Sequence, residues 1–198
     1  MKKIFILLFA IGVCGNLFSE EKIGSYAMSY FDGISFEIQA SEPQNDKFNL
    51  YIQVGGEHKS DRVMLNIESK DLLAFKDALI QIRDKFLEWK KTAIENNVKD
   101  ITKDFPITFP RVNIAWYGSK WWFAFNQRIK PTFFVFKDGT CAMVVYTKAK
   151  SSTNEYIDQE VYWVLQEESE FNDIIRFLDE NVIIEHFKAK SSQTDLFN

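Results

Sequence analysis

The stretch Glu68-Ser69-Lys70-Asp71-Leu72-Leu73-Ala74-Phe75-Lys76-Asp77-Ala78-Leu79 ends a period-two pattern and starts a helical one. Ahead of it, Arg62–Glu68 alternates apolar and polar residues, which specifies a strand with one buried face. Behind it, Leu72, Phe75, Leu79, Ile82, Phe86 and Trp89 recur at three-and-four spacing, widened by Leu73, Ile80 and Leu87. That stripe predicts an amphipathic helix from Leu72 to about Asn96, with Ser69 or Asp71 as its cap.

The same change of period occurs 99 residues later, where Glu167-Glu168-Ser169-Glu170-Phe171-Asn172-Asp173-Ile174-Ile175-Arg176-Phe177-Leu178 brings its apolar residues to the same positions. A second helix is expected there, from about Glu170 to Asn181. Strands are expected before the first helix at Ser25–Phe31, Ile34–Ala40, Phe48–Val54 and Arg62–Glu68. A second run is expected at Arg111–Tyr117, Lys120–Asn126, Thr132–Lys137, Thr140–Lys148 and Ile157–Gln166. The fold class is therefore α+β, a mostly antiparallel sheet built from two runs of four to five strands, each followed by a helix. Any strand-to-helix junction shows a similar cap and stripe, so an internal duplication is one explanation of the repeat and coincidence the other.

A four-strand-plus-helix unit used twice resembles the PC4 and Whirly group of single-stranded nucleic-acid-binding folds. The resemblance is of architecture and covers most of the chain after residue 19. It implies base stacking and phosphate contacts, but the lysine-glycine-lysine strand motif of Whirly proteins is absent here.

The N-terminus points elsewhere. Met1-Lys2-Lys3 precedes an apolar run, Ile4 to Val13, and small and polar residues up to Ser19. This is the pattern of a secretory signal peptide, and the run is too short to span a bilayer. Cleavage after Ser19 would leave a single domain, 20–187, with a polar tail from Lys188 to Asn198. The alternative is a lipid anchor at Cys14, for which Val13 is an unfavourable preceding residue. After the first cut Cys141 is the remaining thiol, and no internal disulfide is expected. Losing Lys2 and Lys3 takes the net charge from −4 to −6, which disfavours nucleic acid as the partner. The expected location is periplasmic or secreted, with no transmembrane span in the mature chain.

Charge is unevenly spread. Residues 111–150 hold seven basic residues against Asp138 alone, whereas 151–198 hold eleven acidic and three basic residues. The two segments would pair across the surface, or the basic one would attract an anionic ligand. Three turns are signalled: Asp32-Gly33 and Asp138-Gly139 as two-residue type I′ loops, and Gly118-Ser119 as type II′. The last of these pairs Tyr117 with Lys120, Ala115 with Trp122, Asn113 with Ala124 and Arg111 with Asn126. Arg111, Asn113, Tyr117, Lys120, Trp122 and Asn126 then share one face. Val112, Ile114, Trp116, Trp121, Phe123 and Phe125 occupy the core face.

An aromatic platform flanked by amides and cations suits a sugar, a base or another planar polar ligand, so those six residues are the candidate ligand-binding set. A helix, a loop or a second subunit over Trp122 would explain them equally well. His58 with Glu57 and Asp61 reads as a solvated loop, and the two histidines lack metal-ligand spacing. Cys141 reads as a small buried hydrophobe. Tyr156, Asp158 and Glu160 alternate on one strand face, and paired carboxylates can hydrolyse glycosides. No nucleophile motif or phosphate loop occurs, and no cofactor or metal is expected.

The sequence therefore leads to an exported, non-catalytic binding protein of the cell envelope or secreted space. Its partner would be a small polar ligand, a glycan or a protein. A single-stranded nucleic-acid-binding protein and a small exported hydrolase are the alternatives. The nineteen Phe, seven Tyr and five Trp also leave room for a homodimer.

Overall fold

The computed structural model describes residues 20–45, 47–58 and 61–195. The expected signal peptide and the alternative anchor Cys14 lie outside them. Four strands come first: β1 (Glu20–Met28), β2 (Ile34–Ser41), β3 (Asn49–Val54) and β4 (Arg62–Glu68). Helix α1 (Leu72–Glu95) follows. The second run is β5 (Ile101–Asp104), β6 (Val112–Tyr117), β7 (Trp121–Gln127), β8 (Pro131–Val135), β9 (Cys141–Lys150) and β10 (Asp158–Leu165). Helices α2 (Glu168–Phe177) and α3 (Glu180–Asp195) close the chain. No described helix is long and apolar enough to cross a membrane.

The class is α+β with two antiparallel sheets. Six strands run in the order β1-β2-β3-β4-β6-β7 and four in the order β10-β9-β8-β5. Both expected strand-to-helix junctions are present. The sheets nevertheless do not follow the two halves of the sequence, because β6 pairs with β4 across the intervening helix. The sheets meet at Gly55 and Tyr162, which exchange two backbone hydrogen bonds of 2.9 Å.

One core unites both sheets with α1 and α2. The stripe Leu72, Phe75, Leu79, Ile82 and Phe86 is buried as its spacing requires. Phe75 stacks on Phe109 at 4.6 Å and on Trp163 of β10 at 6.1 Å. The expected caps are replaced. Asp71 holds the N-cap position without a side-chain bond, because a 3-10 turn at Ser69–Asp71 leads into α1 and the Leu72 N–H donates to the Ser69 carbonyl. Two elements carry no sequence pattern: all of β5 is exposed, and α3 runs on past Lys188 to Asp195. The α3 helix is tied to β1 by Glu21, which accepts from Lys190 and meets His186 Nε2 at 3.0 Å.

Strand β1 begins earlier than expected and stops at Met28, where a 3-10 turn takes over Ser29–Phe31. A register shift between Lys22 and Gly24 lets α2 approach. A Cβ on Gly24 would lie 2.1 Å from the Phe177 ring. That ring is buried and cannot swing away. Gly24→Ala should therefore cost about 1–3 kcal/mol as overpacking, read from the shift of a urea transition; an unchanged midpoint would contradict the packing.

Candidate functional site

The hairpin that carried the expected site is one residue out of the expected register. Tyr117 pairs with Trp121, Trp116 with Trp122 and Ala115 with Phe123. A type II′ loop needs Gly118 at positive φ, but among the described glycines only Gly33 and Gly139 adopt it. The loop is therefore the three residues Gly118–Lys120, closed by Gly118 N–H donating to the Lys120 carbonyl at 2.9 Å. A one-residue slip moves every side chain of a strand to the other face. Trp122 thus packs against the main core with Ala124, while Trp121 and Phe123 lie on the opposite face and Phe125 is 53 % exposed. Lys120 holds its ammonium 4.4 Å from the Trp122 ring.

The other two turns differ in the same way. Asp138-Gly139 belongs to a five-residue connection between the paired Val135 and Cys141, with Gly139 at φ 93°. Asp32 and Gly33 both have positive φ, as a type I′ pair would, but end a five-residue loop between Met28 and Ile34.

The six expected site residues are therefore divided. Trp122 is on the core side, Lys120 is in the loop, and Tyr117 is 49 % exposed on the outer face beside Trp121. Arg111, Asn113 and Asn126 do come together. Residues Phe125 and Asn126 bulge from the ladder, with Asn126 at φ 57°, a conformation asparagine tolerates. The Asn126 N–H donates to Asn113 Oδ1 at 2.9 Å, and Arg111 Nη1 donates to the Asn126 carbonyl at 2.8 Å. The free edge of β7 is blunted as well. The Ser152 N–H donates to the Phe123 carbonyl, Ser152 Oγ accepts from the Phe125 N–H, and Gln127 donates to the Phe125 carbonyl.

This knot sits at one end of the outer face of the six-stranded sheet. Gln39, Tyr51, Asn66 and Asn113 stand in register across β2, β3, β4 and β6. The next row is Gln53, Met64, Ala115 and Phe123. Tyr51, Met64 and Ala115 form a small apolar cluster of their own on this face. A cavity of about 950 Å³ runs along the amide row, between Glu20 and Asn113. It shares Asn66, Glu68, Lys70 and Asn113 with a second of about 500 Å³ that reaches Arg111 and Asn126. The two make a continuous furrow.

Asn66 lines the furrow, but its Oδ1 is itself closed to solvent and has no hydrogen-bond partner in the protein. Buried polar atoms are nearly always paired, and each exception asks for a reason. Charge along the furrow is close to balanced, and Lys70 pairs with Glu68 at 2.6 Å. Burial raises the Glu20 carboxyl above its ordinary range. Burial, reinforced by the neighbouring Glu20, raises the Tyr51 phenol too, so Tyr51 stays a hydrogen-bond donor.

Asn49, Tyr51 and Asn66 escaped the sequence reading. Each stands at an outward position of an expected strand, but only the β4–β6 pairing aligns Asn66 with Asn113.

The carboxylates of β10 are engaged. Asp158 pairs with Lys148 at 3.2 Å, an example of the cross-segment charge pairing. Glu160 accepts from Tyr162 and, at 3.3 Å, from Tyr146. Donation to Glu160 pushes the Tyr162 phenol up to about 12. In Glu160→Gln it should fall toward the usual value of about 10, visible as earlier phenolate absorbance; an unshifted titration would remove the contact. Cys141 is buried as expected, and burial raises its thiol. Among the described residues no cluster of His, Cys, Asp and Glu could hold a metal ion.

Comparison with family models, with curated proteins and with solved structures gave no match. The resemblance to the single-stranded nucleic-acid folds thus rests on element order alone.

Proposed function

We propose that this chain is an exported, non-catalytic binding protein that takes a polar ligand in the furrow on the outer face of its six-stranded sheet. The observation that carries this reading is the furrow's lining, where Asn49, Tyr51, Asn66 and Asn113 bring amide and hydroxyl groups together on one sheet face. The furrow's volume is that of a small-molecule site, and its polar groups could fix a ligand's orientation. Export rests on the Lys2-Lys3 start and the apolar run that follows. The non-catalytic reading rests on the furrow's lining, which beside the Glu68–Lys70 pair holds Glu20, Glu42, Lys47, Asp71 and Arg111, with no histidine or cysteine among them.

Hydrogen exchange tests this. The protein recovered from cells expressing the full chain would be incubated with the small-molecule fraction of the compartment in which it accumulates. Added protection is expected in 49–54, 62–68 and 112–117. Protection elsewhere alone, or none, would contradict the proposal.

A further inference from the structure

We infer that the β6–β7 hairpin docks this protein on an anionic phospholipid surface; the inference is independent of the furrow. Tyr117, Trp121, Phe123 and Phe125 form a strip at the β7 edge of the six-stranded sheet, and none of them lines the furrow. Tyr117 and Phe125 are exposed, and Trp121 and Phe123 are half-buried. The Tyr117 ring meets Trp121 edge-on at 5.5 Å, and the Phe123 and Phe125 rings lie nearly parallel at 6.0 Å. From Trp121 to Phe125 the strip is about 13 Å long. Exposed apolar surface of this kind marks a contact site.

Charge selects the occupant. Residues 105–137 contain five cations and no carboxylate. At one end of the strip stand Lys120 and Arg62, whose guanidinium lies 5.8 Å from the Trp121 ring centroid. At the other end stand Arg128 and Arg111, which donates to the Asn126 carbonyl. Among the described residues no carboxylate forms an ion pair with any of these four. Glu37 feels the field of Arg62 but is bonded to Lys22 and Gln39, and Asp61 accepts from Gln159 and from the His58 N–H. Glu155, in the β9–β10 loop that reaches β7 through Ser152, leaves one carboxylate against four cations.

The middle of the strip is apolar: Phe123 stands in register with Ala115 and Met64. Aromatic rings favour the boundary between headgroups and acyl chains, where the flanking cations would meet lipid phosphates. A nucleic acid strand would need cations along the strip to follow its phosphates, and the middle offers none. A second copy on a two-fold axis would set cationic ends against cationic ends whichever way it turned. Both alternatives are therefore disfavoured by the same arrangement.

The test sediments the protein recovered from cells expressing the full chain with two kinds of vesicle. One is an equal mixture of phosphatidylglycerol and phosphatidylcholine, the other phosphatidylcholine alone. The expected result is binding to the anionic vesicles that weakens with salt and is at least about tenfold weaker on the neutral ones. Lys120→Gln with Arg128→Gln should weaken anionic-vesicle binding about 25-fold, roughly fivefold per charge. Phe125→Ser should weaken it about tenfold by withdrawing apolar area from the bilayer. All three positions are exposed, so the fold tolerates the changes. No binding to anionic vesicles, or binding that neither variant weakens, would overturn the proposal. A thymidine oligonucleotide bound in place of the vesicles, or a dimer that Phe125→Ser dissolves, would overturn it as well.

Discussion

Replacing Glu170 by alanine should lower stability by about 4 kcal/mol, a large share of what a domain of this size has. Among the described residues Glu170 is the one buried carboxylate, only 5 % exposed. It accepts three backbone N–H groups: Ser29 at 2.5 Å, Gln166 at 2.5 Å and Glu167 at 3.1 Å. Two of these open α2, where an anion is favoured. The third is 141 residues away, at the turn after β1. Truncation leaves three partly buried donors without this partner, at about 1–3 kcal/mol for each that water does not reach. Glu170→Gln keeps one acceptor oxygen but turns an NH2 toward N–H groups, so it should lose about half as much. Denaturant melts of the two variants check the order; an alanine variant within about 0.5 kcal/mol of the parent would show that the N–H groups find other partners.

Trp163→Ala should cost about 3–5 kcal/mol. Trp163 is fully buried on β10, stacks on Phe75 of α1 and meets Phe109 at a tilt, 5.8 Å between centroids. It therefore joins the four-stranded sheet to the helix that also supports the six-stranded one. These neighbours lie on α1 and in the loop before β6 and cannot both close over the void, so the cavity should persist. Trp163→Phe should recover most of the loss. A midpoint for Trp163→Ala close to the parent's would mean the core collapses freely there.

Much of the fold was legible because long-range burial imposed a strong local period. The α1 stripe gave both its limits to within a residue, since each apolar position faces the same core. The class followed from strands alternating ahead of two helices. What failed was register. Each of the three turns holds more residues than its dipeptide suggests, and the Gly118–Lys120 loop moved Trp122 inward and Phe123 outward. A chain that reads Trp121-Trp122-Phe123-Ala124-Phe125 is apolar on both faces, so alternation could not detect the slip. Strand β5 was invisible because Ile101 to Asp104 are all exposed, so no buried face imposes an alternating pattern.

The site was half legible. Arg111, Asn113 and Asn126 were grouped correctly, though by a bulge and not by the expected ladder. Tyr51 and Asn66 reach them only through pairings β3–β4 and β4–β6, and the second crosses α1 and β5 in sequence. Nothing local encodes that contact.

Native mass spectrometry of the protein from fractionated cells tests the central claim most directly, because one spectrum reads both the N-terminus and any retained ligand. The account predicts a chain beginning at Glu20 in the exported fraction, carrying a small-molecule adduct that the Asn66→Ala variant does not retain. An uncut chain in the cytoplasm, or an adduct indifferent to Asn66, would contradict it.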